Sequence, residues 1–73
     1  MAVETVPVGP STLISAITYD PEKLELIVRF QNGWVYAYQQ VDLLTVKGFG
    51  VYESPGKFFN QAVKGQFEYE RLE

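Results

Sequence analysis

The stretch from residue 24 to residue 38, LELIVRF-QNG-WVYAY, constrains the fold more than any other, because two alternating segments meet across a short turn and must agree on one register. Leu24, Leu26, Val28 and Phe30 alternate with Glu25, Ile27 and Arg29, the period of a half-buried strand. The turn can be built in two ways. A two-residue Asn32-Gly33 loop sets Phe30 opposite Val35 and puts Trp34, Tyr36 and Tyr38 on the face of Glu25 and Arg29. A three-residue loop, with Gly33 as a left-handed bulge, pairs Phe30 with Trp34, Val28 with Tyr36 and Leu26 with Tyr38. A slip of one residue moves every side chain to the other face, so the binary pattern selects the second register, which gathers Leu24, Leu26, Val28, Phe30, Trp34, Tyr36 and Tyr38 on one face and leaves Glu25, Arg29 and Gln39 on the other. The aromatic row is then expected to be core, with phenol hydroxyls reaching its edge. The alternative use of such a row is a platform for stacking unpaired bases.

The pressure toward core comes from size. Seventy-three residues make one domain, and a chain this short buries only about 60% of the surface its unfolded form exposes. Cysteine and histidine are both absent. That removes disulfides, thiolate and imidazole metal sites, the Ser/His/Asp and Cys/His nucleophile arrangements, and the commonest general base near neutral pH. No cofactor or metal is expected, and a reducing cytoplasm is the expected setting. Nine acidic residues against six basic give a net charge of −3, whereas a nucleic-acid footprint normally shows a basic surplus. The charge favours a protein partner, preferably a basic one. No apolar run approaches the ~20 residues needed to span a bilayer, and the start lacks the pattern of a secretory signal, so a soluble, unprocessed protein is expected; a monomer is the expected state.

Along the chain, residues 1–10 carry Pro7 and Pro10 around Gly9 and read as an extended arm; residues 11–73 form the domain. Leu13 to Tyr19 reads as a strand closed by the turn Asp20-Pro21-Glu22-Lys23. After Val41, Asp42 is placed to cap a short helix that Gly48 and Gly50 stop. Ser54 as N-cap and Pro55 at the first helical position open a second helix, which runs to Lys64 and ends at Gly65 with Phe58, Phe59, Ala62 and Val63 facing inward. The tail QFEYERLE alternates and suits a short closing strand. The pattern predicts an α+β fold, an antiparallel three- to four-stranded β-meander with two short helices packed on one face.

Few residues invite chemistry. Ser54-Pro55-Gly56-Lys57 lies at a helix start, where free amides attract anions, but it lacks the further glycines and the Lys-Ser/Thr pair of a Walker loop. Asp20 and Glu22 fall in a turn, and Glu68, Glu70 and Glu73 in a tail; neither setting desolvates a pair enough to separate two pKa values. An enzyme is therefore not expected. Lys47, Lys57, Lys64 and Arg71, four of the six basic residues, fall in the second half and form a local basic patch if helix and tail lie side by side, with Glu53, Glu68 and Glu70 interspersed against it. Phe49 sits between two glycines, a pliable position that either tucks the ring under the sheet or presents it to a partner.

Several stretches resemble the KTSC domain, a family found at the C-terminus of some lysyl-tRNA synthetases and as small free-standing bacterial and phage proteins. They are Ser11 with Ile14, Ile17-Thr18-Tyr19-Asp20-Pro21, LELIVRFQNG, the Tyr36-Ala37-Tyr38 triplet, S-x-G-x-F-F-N from Ser54 to Asn60, and VKGQFEYERL. The resemblance spans roughly residues 11 to 72 and implies an antiparallel sheet with helices packed on it. It implies no established chemistry; RNA binding is suggested for the family by its synthetase context. The chain departs from the family at KGFGVYE, where an Ala/Leu-rich helix is usual, and in its acidic tail. A free-standing acidic domain of this length also looks like small phage-encoded regulators that bind host RNA polymerase. The leading expectation is therefore a non-enzymatic module that binds a bacterial protein, RNA polymerase being the example, through Glu4, Val6, Phe49 and Tyr52. The rival is RNA binding through Lys57, Lys64 and Arg71.

Overall fold

The computed structural model describes residues 3–6, 8, 11–51 and 54–73. Five antiparallel strands run in chain order: β1 (Glu4–Val6), β2 (Ile14–Asp20), β3 (Glu25–Phe30), β4 (Val35–Tyr38) and β5 (Tyr69–Arg71). Between β4 and β5 come α1 (Leu43–Val51), α2 (Pro55–Phe58) and a π-helical turn (Phe59–Val63). The fold is α+β, with the helices packed on one face of the sheet.

The central hairpin takes the three-residue turn. Gly33 has φ +94, Phe30 N–H donates to Trp34 C=O at 2.8 Å, and Leu26 pairs with Tyr38 and Val28 with Tyr36. The Asn32 carboxamide closes the turn, its Oδ1 accepting from Trp34 N–H at 2.9 Å. The core forms on the face so chosen: Ile17 and Tyr19 of β2, Leu26 and Val28 of β3, and Tyr38 of β4 meet Val46, Phe49, Phe58, Phe59 and Val63 from the helical layer. The Tyr19 hydroxyl donates to Val41 C=O at 2.6 Å, and Val41 N–H donates to Leu24 C=O at 2.8 Å, so the segment leaving β4 is pinned beneath the sheet.

Four local expectations are corrected. Residues 4–6 are not a free arm: Glu4, Thr5 and Val6 pair with Tyr19, Thr18 and Ile17 and add a fifth strand. Leu24 is not core. It belongs to the turn after β2, at φ +54 and 41% exposed, because Asp20 Oδ1 accepts from the amides of Glu22 and Lys23 and the strand begins only at Glu25. Helix α1 does not stop at Gly48 but runs through both glycines to Val51. The reason is packing: a Cβ at Gly48 would fall inside the Phe58 ring, so the glycine lets α1 and α2 approach closely. Lastly, the second helix starts as expected, with Ser54 Oγ accepting from Lys57 N–H at 3.3 Å and Pro55 at the first position, but it widens after Phe58 into the π turn. There Lys64 N–H donates to Phe59 C=O at 2.9 Å, five residues back, before Gly65 ends the segment at φ +80.

Candidate functional site

The aromatic row divides along its length. Tyr38 is 3% exposed, Tyr36 is half-buried and Trp34 is 43% exposed, so the expectation that all three rings are core holds at the inner end and fails at the outer one. The helical layer reaches only as far as Phe59, whose ring meets Tyr38 edge-on at 5.5 Å and Phe30 at 5.3 Å. Beyond Phe59 the same face of the sheet continues uncovered by any described residue of the helical layer.

β5 completes this uncovered face. Its pairing sets Tyr69 beside Tyr38, Glu70 beside Ala37 and Arg71 beside Tyr36. Strand alternation thus sends Tyr69 and Arg71 to the aromatic side and Glu70 to the other. Tyr36 stacks on Tyr69 at 5.3 Å and on Trp34 at 6.2 Å, with interplanar angles of 20° and 12°. The Arg71 guanidinium carbon lies 3.9 Å from the centre of the Trp34 ring, a cation–π contact. Its Nε donates to Glu73 C=O at 3.1 Å.

A groove of about 270 Å³ opens on this surface. It is lined by the rings of Phe30, Trp34, Tyr36, Tyr38 and Phe59 together with Leu13, Asn32, Asn60 and Lys64. The π turn supplies Phe59 and Asn60, with Lys64 just after it. Such turns recur at functional sites because the extra residue per turn redirects side chains that an α-helix would keep on its own ladder.

Lys64 and Arg71, expected as RNA contacts, are brought to this face; Lys57 is exposed on α2 and does not line the groove. Of the residues expected to meet a protein, Glu4 and Val6 lie on β1 beside a second groove shared with Leu43 and Lys47 of α1. Phe49 is 1% exposed, its ring edge-on to Phe58 at 4.8 Å, so it is tucked rather than presented and offers a partner nothing. Tyr52 lies outside the described residues. The sequence reading missed Tyr69, Asn32 and Asn60 as site residues. Tyr69 had a signal, since alternation in the tail put it in phase with Arg71; the amides had none.

Two buried phenols give the fold a pH dependence. Burial pushes the Tyr38 hydroxyl up to about 12, with Tyr36 and Tyr69 adding to it. Burial also raises Tyr19, aided by Asp42 and Asp20. An unfolded tyrosine ionises near 10, so the stability linked to these neutral phenols is whole below pH ~10 and is lost as pH climbs toward the folded-state value. Alkaline titration followed by circular dichroism is expected to show unfolding setting in above pH ~10. Tyr38→Phe, which has no proton to lose, is expected to flatten that slope; an unchanged profile would refute the assignment.

The sequence pattern of the KTSC domain matches residues 10–67. The chain belongs to the KTSC domain family. A segment of a lysine–tRNA ligase from Nostoc sp. is 34% identical over 61 residues, covering 84% of this chain but 11% of the ligase. The chain thus spans about a tenth of that relative's length. An uncharacterized protein of Stutzerimonas stutzeri is 34% identical over 64 residues, covering 86% of this chain and 90% of that one. The crystal structure of a KTSC domain protein from Yersinia pestis superposes with a TM-score of 0.85 at 29% identity, covering 99% of this chain and 100% of that one. The family match stops at residue 67, short of β5, so Tyr69 and Arg71 lie outside it. No helix among the described residues is long and apolar enough to cross a membrane.

Proposed function

We propose that the domain is a non-catalytic binding module that stacks unpaired bases of RNA on the uncovered aromatic face of β4 and β5. The observation that carries this reading is the pair of open rings, Trp34 at 43% and Tyr69 at 59% exposure, flanking Tyr36 with Arg71 laid over the indole. A chain this short has few large apolar residues to spare for display, and a stacking platform is a use that asks for flat faces in solvent. The relative that is a lysine–tRNA ligase makes tRNA the first RNA to try.

The net charge of −3 sets the strength expected. With Lys64 and Arg71 as the cations beside the rings, the logarithm of the binding constant should fall with the logarithm of salt at a slope of only about −1.4, roughly −0.7 for each phosphate neutralised on a single strand. Trp34 is the one tryptophan and lies in the site, so its fluorescence reports binding directly. Titration with single-stranded RNA is expected to change that fluorescence. Tyr69→Ala is expected to weaken binding about tenfold, within the usual worth of a stacked base, while thermal unfolding stays nearly where it was because the ring is open to solvent. No response to RNA, or a Tyr69→Ala variant that binds as well as the parent, would overturn the reading.

A bacterial protein partner, RNA polymerase for a phage regulator, is the second reading. It draws on the acidic balance and on the outer edges of β1 and β5, the two ends of the strand order, beside which no further strand lies among the described residues and where a partner's strand would add. Retention of polymerase subunits by a protein that ignores RNA would put it first.

A further inference from the structure

Helix α1 is apolar all the way round. Its inner side buries Val46 and Phe49 in the core, yet Leu43 at 53%, Leu44 at 80% and Val51 at 79% exposure stand on its outer side, where Lys47 is the single charge. Spacings of three, four and seven residues place these four on one face. A helix of such composition is ordinarily covered on both sides, and a chain this short has little apolar surface to leave in water.

The position of this face says what covers it. α1 lies along β1, and the two share a groove lined by Glu4, Thr5 and Val6 on the strand side and by Leu43, Val46 and Lys47 on the helix side. β1 is also one end of the strand order, so a single margin of the molecule presents a strand edge, beside which no further strand lies among the described residues, and an apolar helix face next to it. One occupant has to match both. A second copy does: turned about a twofold axis, its β1 pairs antiparallel with β1 and its α1 meets α1. The charges agree with that axis, since the groove holds one acid, Glu4, and one base, Lys47, and the rotation offers each to its opposite in the other copy. We infer that the margin formed by β1 and α1 is a homodimer interface, in place of the monomer expected from the sequence. The aromatic face belongs to β4 and β5 at the far end of the strand order, so this inference does not depend on the RNA reading.

Sedimentation velocity of the full chain over a concentration series tests it. The parent is expected to move from the 8.3 kDa of one chain toward twice that mass as concentration rises. Leu44→Glu, at a position open to solvent within one copy, is expected to match the parent's circular dichroism and to dimerise about tenfold or more weakly. Lys47→Glu alone and Glu4→Lys alone each set like charges together and are expected to weaken the dimer about fivefold, whereas the double variant restores it. A parent that stays monomeric at every concentration overturns the inference and leaves the face to a different protein. A dimer indifferent to Leu44→Glu uses another surface, and a double variant no better than the single ones removes the twofold; either result overturns it as well.

Discussion

Gly48→Ala is expected to remove about 2–3 kcal/mol of stability, the upper range for overpacking a filled core, and to lower the melting temperature by roughly 10–20 °C in a domain of this size. The added methyl would occupy the space of the Phe58 ring. That ring cannot swing away freely, since it is buried and held edge-on against Phe49 at 4.8 Å. Either α1 lifts from α2 or the Phe49–Phe58 pair breaks. Gly50, two residues on in the same helix, has nothing within 4 Å of a built Cβ. Gly50→Ala is therefore the matched control, expected to leave the melting temperature unchanged or raise it slightly, as alanine is the better helix former by about 1 kcal/mol. Differential scanning calorimetry of the two variants side by side checks the account; equal melting temperatures would refute the close-approach role of Gly48.

Phe59→Ala is expected to be more damaging, at about 3–5 kcal/mol for emptying a buried aromatic site. Small domains hold of the order of 5 kcal/mol in total, so the variant should keep no more than about 2 kcal/mol and unfold at a much lower urea concentration than the parent. Phe59 is 3% exposed and bridges Phe30 and Tyr38, with which it lines the inner part of the groove. Phe59→Leu, which retains most of the volume, is expected to fold while losing the edge-on contacts. Unfolding of Phe59→Ala at the same urea concentration as the parent would refute a stabilising role for the contacts of Phe59 with Phe30 and Tyr38.

Much of the fold was legible because strand alternation is unforgiving. The register of β3 and β4 followed from the demand that Leu26, Val28 and Phe30 share a face with the aromatic row, and Gly33 adopted the left-handed conformation that the register requires. The limits of the helical layer were not legible. Alternation says which face a side chain joins and nothing about how far along that face the cover extends, which is why Trp34 read as core and stands half open. Gly48 misled for a related reason: its backbone cost was visible in the sequence, whereas the ring that requires it lies ten residues away across the interface between α1 and α2. Sequence sets Glu70 against the basic patch as a neighbour of Arg71, whereas the pairing of β5 puts the two on opposite faces. Phe49 was left open between two fates, and packing against Phe58 decided it.

The strand order has a consequence for how the aromatic face beside the groove is held together. β1 to β4 pair with partners a short turn or loop away, but β5 must return across residues 39–68 to find β4, and all three of its residues are exposed. It is the segment that local fraying would release first, and it carries Tyr69 and Arg71. A flat ring laid across Tyr36 and Tyr69 would bridge the seam between hairpin and returning strand, so that occupancy and zipping of the sheet margin become one equilibrium.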